Sequence, residues 1–474
     1  MHVQRLSPTD TAFLLMERRH MPLHVGGLVL LQPPKDAPPD FAAQLAGRLL
    51  QSAQAARPFN LRPQSRFGLS FWETDSTFDI NQHLVHLALP KPGRIRELLA
   101  MCSRVHAQHL DRAYPLWRMY LIEGLEDGRI AMFFKIHHSV VDGVAAMRLM
   151  MKSMSPDAEE SAQMPPTWEM APRHREPALP LSGAATSPMG VLAGLSRGGL
   201  ASVPKVFSNL KQTWQDRRQG NPDVVTSTQA PRSILNQPVT ASRRFAAQSY
   251  ATSRFKAIAA HVGGTTNDVV LAVCAAALRS YLIEQEALPE QPLVAVVPVS
   301  IRRDEGDSGN EIAFAMVNLA THLADPLARL QAIKGCMDYN KARFKTMSPA
   351  ELQAYAVAQL VPGALNMLTG FKPDRVPANL VISHVPGPRQ AMYWQGCRLD
   401  GIYPASLVID GFALNITVIS RHDNVDFGLI GCRRTVPSLQ RLLDYFEGGI
   451  AELEQAVQQQ APKPKRRVRE ASVV

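Results

Sequence analysis

Cysteine is scarce in this 474-residue sequence, and its copies lie far apart. Their number is odd, and none belongs to a Cys-x-x-Cys pair. This spacing argues against a disulfide framework and supplies no paired ligands for zinc. We therefore expect reduced, mostly packed thiols and a cytoplasmic protein. The five residues are Cys102, Cys274, Cys336, Cys397 and Cys432.

Long apolar runs are also missing. Residues 1–8 hold no apolar signal core, and the most apolar helix candidate, 269–278, is too short and too rich in alanine to span a bilayer. The sequence shows no internal repeat and no heptad array. We expect a chain that does not cross a membrane but can still lie on one.

Positive charge is in excess and is unevenly distributed. The formal net charge is +10, and the segment after Ala461 carries five basic residues against Glu470. Because prolines interrupt this segment, we expect a disordered tail, either solubilising or attracted to anionic lipid at about 1 kcal/mol per basic residue. Nucleic acid is not an expected partner, since no base-reading motif accompanies the charge.

The length and composition predict two folded domains. Hydrophobic residues make up 46% of the chain and charged residues 19%, and 474 residues exceed one ordinary core. A stretch rich in Pro, Ser, Gly and Arg divides the chain, with one helix predicted at 203–219. The predicted parts are an N-terminal domain (1–155), a Pro-rich, partly helical linker (156–238), a C-terminal domain (239–457) and a basic tail (458–474).

The most informative stretch is an apolar segment, 130–136, that ends in His137-His138. It predicts a buried strand, followed by Asp142, Gly143 and an apolar-periodic helix over 144–154. Histidine suits proton transfer near neutral pH. Asp142 is expected to brace the loop, and Gly143 to allow a positive φ or a close backbone approach. The alternatives are a structural histidine or half of a metal site, although no third ligand has a suitable spacing.

Three further motifs stand out. Pro115-Leu116-Trp117 leads into a strand, 118–122, that should form a hairpin with the histidine-bearing strand. Trp117 could be either an aromatic core residue or a residue of the site. Thr265 and Asp268 occupy capping-box positions, beside Asn267, at a helix start that could hold an oxyanion or a phosphate. Gly194–Gly198 matches a serine-hydrolase elbow but lacks the strand and helix that this motif needs.

Several blocks in this order resemble one known family. They are Pro115–Trp117, His137–Gly143, Thr266-Asn267-Asp268-Val269-Val270-Leu271-Ala272, Val385-Pro386-Gly387-Pro388 and Phe427-Gly428-Leu429. His-His-x-x-x-Asp-Gly is typical of the CoA-dependent acyltransferase superfamily. From Thr9 to about Glu454 the chain resembles the bacterial bifunctional wax ester synthase/diacylglycerol acyltransferases.

The resemblance implies an α/β fold with two chloramphenicol-acetyltransferase-like domains. Each would be a mixed β-sheet with flanking helices, joined by a long crossover linker, with a tunnel at the interface. It implies His138 as the general base, a less certain role for His137, a structural Asp142, and supporting roles for Asn267 and Asp268. We also expect substrate contacts from Pro115, Leu116, Trp117, Ser383, His384, Pro386 and Gly387. Two pairs depart from the common pattern: Ser383-His384 in place of Ser-Asn, and Ser420-Arg421 in place of Ser-Tyr.

The function implied is transfer of a long-chain acyl group from acyl-CoA to a fatty alcohol or diacylglycerol. His138 would take the proton of the hydroxyl directly, without an acyl-enzyme, and no cofactor or metal is expected. The resemblance also implies that the enzyme can lie on the inner membrane or on lipid inclusions. Two other functions stay open: condensation of an acyl group with an amine, and non-catalytic lipid binding.

Overall fold

The computed structural model describes most of the chain. The described residues are 3–66, 69–141, 143–170, 203–301, 311–348, 351–352, 354–356, 358–359, 366, 369 and 374–460. Asp142, the Gly194–Gly198 motif and the tail from 461 onwards lie outside them.

Strands and helices alternate along the described chain. The strands are β1 (Val3–Arg5), β2 (His24–Gln32), β3 (Leu61–Arg66), β4 (Leu69–Thr74), β5 (Leu84–Ala88), β6 (Trp117–Glu123), β7 (Ile130–His137), β8 (Ala230–Pro231), β9 (Arg243–Ala251), β10 (Val294–Ile301), β11 (Glu311–Asn318), β12 (Arg375–Val376), β13 (Leu380–Pro386), β14 (Tyr393–Trp394), β15 (Cys397–Ala405), β16 (Leu414–Ser420) and β17 (Asn424–Cys432). The helices are α1 (Pro8–Met16), α2 (Phe41–Leu49), α3 (Ile95–His106), α4 (Gly143–Lys152), α5 (Ala158–Gln163), α6 (Val203–Arg218), α7 (Thr252–Val262), α8 (Thr266–Glu284), α9 (Pro326–Phe344) and α10 (Arg441–Gln460).

The first large sheet has the strand order β14-β15-β2-β7-β6-β5. Its pairs are antiparallel except for β5 with β6. The predicted hairpin of β6 and β7 is confirmed, with Trp117 opposite Ile136. Every β7 residue except Phe134 is buried, which is the burial expected of a central strand.

The second large sheet has the order β11-β10-β13-β16-β17-β9, with parallel pairs on both sides of β13. Helix α8 lies over it, packed against α7, α9 and α10. By length and composition α8 could cross a membrane, but 72% of its most apolar window is buried inside the protein, as in a core helix. The predicted mixed α/β architecture is confirmed.

Strand β15 joins the two halves of the molecule. It comes from the second half of the sequence but pairs with β2 of the first, with Tyr403 opposite Leu28. The buried carboxylate of Asp426 on β17 accepts hydrogen bonds from the Ile402 backbone N–H at 2.9 Å and from Arg421 Nε at 2.7 Å. Because Asp426 on β17 of the second sheet is hydrogen-bonded to β15 of the first sheet, the ends of the two sheets are fixed relative to each other. The domain boundaries stay a prediction.

Three local features complete the description of the fold. The five cysteines are free and buried, as expected. The segment 61–66 forms strand β3. Strand β13 includes the first part of the Val385–Pro388 block, because it continues to Pro386, which pairs with Ser420.

Candidate active site

An apolar cavity lies between the two sheets. Its volume is about 1260 Å³, counting space open to solvent at its mouth. Strands β2, β6 and β7 and helix α4 line it on one side, and β13, β15 and β16 on the other. The lining includes Val25, Met119, Met132, Phe134, Met147, Met150, Val381, Val385, Ile402 and Ile419. A cavity of this kind suits aliphatic chains.

His138 lies on the wall of this first cavity. Its ring lines the cavity and stacks on Phe13 of α1, with centroids 4.5 Å apart and planes 22° from parallel. Its backbone N–H donates to the Leu23 carbonyl at 3.0 Å. Among the described residues that line the first cavity, His138 carries the one ionisable side chain. A single imidazole in an apolar space is well placed to exchange a proton with a bound hydroxyl.

His137 is turned to the other side of β7. Its side chain is 1% exposed, and its Nδ1 accepts the Ser139 backbone N–H at 3.2 Å. Its Nε2 lies 3.7 Å from Glu17 Oε1. Alternation along the strand therefore separates the two histidines, and His137 is not among the described residues of the cavity wall.

Gly143 lines the first cavity at the start of α4. The expectation of a positive φ or a close backbone approach is wrong. The residue is helical, and a Cβ placed there would meet no described atom within 4 Å.

A second cavity, of about 1360 Å³ including its open mouth, lies at the N-terminus of α8. Unlike the first, it is lined by cationic side chains: Lys256, Lys341, Arg389 and Arg421. Lys341 faces Asp268 at 3.6 Å and Arg421 pairs with Asp426, whereas Lys256 and Arg389 make no ion pair with another described residue. Free cations and a helix N-terminus together favour an anionic ligand.

The predicted cap at the start of α8 is confirmed. Asp268, fully buried, accepts hydrogen bonds from the backbone N–H and the hydroxyl of Thr265, each at 2.8 Å. The next residue towards the N-terminus, Asn267, lines the second cavity. Asp268 thus caps the helix from the interior, while Asn267 faces the second cavity.

His384 connects Asn267 to the second sheet. Its Nδ1 lies 3.2 Å from Asn267 Oδ1, and its Nε2 lies 2.6 Å from Ser420 Oγ. Burial lowers the pKa of His384 to about 4, so the ring is neutral at physiological pH. A neutral ring can donate from Nδ1 to the amide oxygen and accept the serine hydroxyl on Nε2.

Successive residues of β13 face different cavities. Ser383 lines the first, whereas His384, Pro386 and, just after the strand, Gly387 line the second. Pro298 of β10 lines both, so the cavities meet there. Gly387 permits this packing, because a Cβ would lie 2.6 Å from the Ile419 side chain.

The Pro115–Trp117 block lies in the core rather than at either cavity. Trp117 is 1% exposed, its Nε1 donates to the Phe59 carbonyl at 2.7 Å, and it stacks on His83 at 4.4 Å. The Leu116 carbonyl accepts the His137 backbone N–H at 2.9 Å. The block is therefore part of the core and is hydrogen-bonded to the last residue of β7.

Comparison with known proteins identifies the relatives of this chain. A family profile described as the wax ester synthase/diacylglycerol acyltransferase catalytic domain matches residues 6–270, and a profile of the C-terminal domain of the same family matches 308–454. The O-acyltransferase WSD of Acinetobacter baylyi is 45% identical over 96% of this chain and 98% of the relative. The chain belongs to the wax ester synthase/diacylglycerol acyltransferase family.

Other members extend this match. A probable diacylglycerol O-acyltransferase of Mycobacterium tuberculosis is 41% identical, over 95% of this chain and 99% of the relative. The solved wax ester synthase/diacylglycerol acyltransferase of Marinobacter aquaeolei superposes with a TM-score of 0.78 at 42% identity, covering 96% of this chain and 100% of that one. The first condensation domain of the calcium-dependent antibiotic synthetase, with a TM-score of 0.60 and 15% identity over 98% of both chains, shares the fold alone.

The structure adds site residues that sequence reasoning missed. Phe13 stacks on His138, and Glu17 faces His137, although both lie more than 100 positions away on or just after α1. Their sequence context predicts only a helix that begins at Ser7-Pro8. Among the described residues no group of three His, Cys, Asp or Glu side chains is arranged to hold a metal ion.

Proposed function

We propose that this chain transfers a long-chain acyl group from acyl-CoA to the hydroxyl of a fatty alcohol or diacylglycerol, with His138 as general base. As a family member it is an acyl-CoA-dependent O-acyltransferase. The observation that carries the proposal is the position of the His138 ring on the wall of an otherwise apolar cavity between the two sheets.

The proposed reaction needs one base and no covalent enzyme intermediate. His138 accepts the hydroxyl proton as the alcohol oxygen attacks the thioester carbonyl. The tetrahedral intermediate then collapses, the C–S bond breaks, and the imidazolium returns its proton to the CoA thiolate. A positioned base of this kind contributes about 100- to 10,000-fold to the rate. No cysteine is among the described residues of either cavity wall, in agreement with direct transfer.

We assign the two cavities to different parts of the substrates. The first, with its methionines and aliphatic side chains, suits the acyl chain and the apolar acceptor. The second suits the phosphates of CoA, because Lys256 and Arg389 lie beside the N-terminus of α8. Pro298, which lines both, marks where the pantetheine arm would pass towards His138.

Asn267 and His384 would act at this passage. Held by His384, the Asn267 side chain keeps a fixed orientation beside the CoA subsite. This arrangement supports the role of Asn267 as a residue that assists the reaction without exchanging protons.

Acceptor competition tests the proposal. The enzyme is incubated with palmitoyl-CoA and either hexadecanol, diacylglycerol or hexadecylamine, and free thiol and products are measured. We expect thiol release and ester formation with the two hydroxyl acceptors. Thiol release with the amine alone would favour a condensation-type enzyme, and binding without thiol release would favour a lipid-binding protein.

We also propose a cytoplasmic enzyme that associates peripherally with lipid surfaces through its basic tail. The tail carries five basic residues against one acidic residue. Sedimentation with phosphatidylglycerol vesicles should bring down the full chain more than a chain ending at Gln460, and the difference should vanish in high salt. Equal sedimentation of both chains would contradict a role for the tail.

A further inference from the structure

Glu17, just after helix α1, is a buried carboxylate with several partners. Its side chain is 6% exposed. One oxygen, Oε2, accepts from Arg112 Nη2 at 2.9 Å, and the other, Oε1, accepts from the Leu23 backbone N–H at 3.1 Å. His109 Nδ1 lies 3.3 Å from Oε1. A carboxylate so well supplied with donors is part of a built arrangement rather than a surface charge.

The charge of Glu17 faces the histidine motif. Burial raises the pKa of its carboxyl, but His137, Arg112 and the Leu23 N–H together outweigh burial and bring the pKa to about 2. The group is therefore ionised at physiological pH. The charged or titratable side chains around it are His137 and, farther along β7, Lys135, together with Arg112 and His109 from the segment after α3.

Two connections lead from Glu17 to His138. Leu23 donates its N–H to Glu17 and accepts the His138 backbone N–H on its carbonyl at 3.0 Å. Helix α1, which ends beside Glu17, carries Phe13, whose ring stacks on the His138 ring. Glu17 thus fixes two of the segments that determine where the His138 imidazole lies.

We propose that Glu17 is a positioning residue for His138. It secures the Leu23 segment and the end of α1, and its negative charge favours the imidazolium that forms on His138 during the reaction. This inference rests on the proposed function, in which His138 is the base. It assigns to the first helix a part in catalysis that neither the histidine motif nor the cavity lining indicates.

The test compares Glu17→Gln with Glu73→Gln. Glu73 is a matched control, because its side chain is 5% exposed and pairs with Arg62 and Arg66 at 3.1 and 2.9 Å, away from both cavities. We expect Glu17→Gln to lower kcat by about 10- to 100-fold, with each KM changing less than about threefold. The acid limb of its kcat/KM profile should move to lower pH by about 0.5 to 1 unit, since a negative charge near the base is lost. Glu73→Gln should lower the melting temperature without either effect.

A second variant keeps the inference testable if Glu17→Gln does not fold. Arg112→Gln removes the positive partner and leaves the carboxylate, so the acid limb should move in the opposite direction, to higher pH. If the cluster has only a structural role, the acid limbs of Glu17→Gln and Arg112→Gln should not move in opposite directions. Unchanged kcat and unchanged limbs in the variants that fold would overturn the inference.

The outcome is separable from that of the proposed function. If His138→Ala is inactive while Glu17→Gln behaves like Glu73→Gln, the positioning role fails and the base assignment stands. If His138→Ala retains activity close to that of the wild type, the base assignment itself fails.

Discussion

The two cavities differ in charge although they meet at a single proline. The first is apolar and has His138 as the ionisable group among its described lining residues, whereas the second holds four cationic side chains and neutral His384. A molecule that fits both must be aliphatic at one end and anionic at the other, as a long-chain acyl-CoA is. Under the proposed function, the charged cavity would bind the acyl-CoA donor and the apolar cavity would hold the base.

The largest expected effect follows from removing the ionisable group of the first cavity. His138→Ala should lower kcat by about 100- to 10,000-fold, because the hydroxyl then has no base. His137→Ala should lower kcat less, since the His137 ring is not among the described residues that line the cavity. His86→Ala, a partly exposed histidine that pairs with Glu123 at 3.4 Å, serves as the control and should keep full activity. Equal losses in His137→Ala and His138→Ala would remove the distinction between the two histidines.

Reversing charge in the second cavity should affect the donor selectively. Lys256→Glu with Arg389→Glu should raise KM for palmitoyl-CoA by about tenfold or more at low salt, and leave KM for hexadecanol unchanged. Steady-state kinetics with S-palmitoyl pantetheine, which lacks the nucleotide phosphates of CoA, should show almost no effect of the same variant. The control is Lys334→Glu on α9, whose partner is Asp338 at 2.6 Å. Equal effects on both donors would contradict the phosphate assignment.

A smaller effect is expected where the cavities meet. His384→Leu removes both hydrogen bonds that hold Asn267 and Ser420, at about 1 kcal/mol each, and should reduce kcat/KM for palmitoyl-CoA by about fivefold to tenfold. His384→Asn introduces the residue common in the family pattern and should recover most of that loss. If the two variants are equally impaired, the ring does more than orient its neighbours.

The smallest effect on activity is predicted for Trp117. Trp117→Phe removes the hydrogen bond to the Phe59 carbonyl and part of a buried ring, which should cost about 2 to 3 kcal/mol of stability. Thermal unfolding should show this loss, while KM and kcat at a permissive temperature stay near wild-type values. A large rise in either KM would instead support the substrate contact predicted from the motif.

Local patterns in the sequence predicted much of the frame that carries His138. The apolar run of β7 and the following turn specify a buried strand with histidines at its end, and Thr265 with Asp268 specifies the cap of α8. These features depend on neighbours within a few residues, which is why the sequence alone displays them.

The pairing of strands that are distant in the sequence could not be predicted from such local patterns. Strand β15 was not predicted, because a register shift between Leu399 and Gly401 and the proline at 404 interrupt its alternation. Nothing local indicates that it pairs with β2, some 370 positions earlier. The same reason hides Glu17 and Phe13, whose contacts with the histidine motif exist only after α1 folds over the end of β7.

The central claim is that His138 accepts the hydroxyl proton, and the pH dependence of kcat/KM tests it most directly. The wild type should lose activity on the acid side as one group is protonated, and His138→Ala should show a low residual rate without that limb. A His138→Ala enzyme with the same acid limb and a rate close to that of the wild type would contradict the claim.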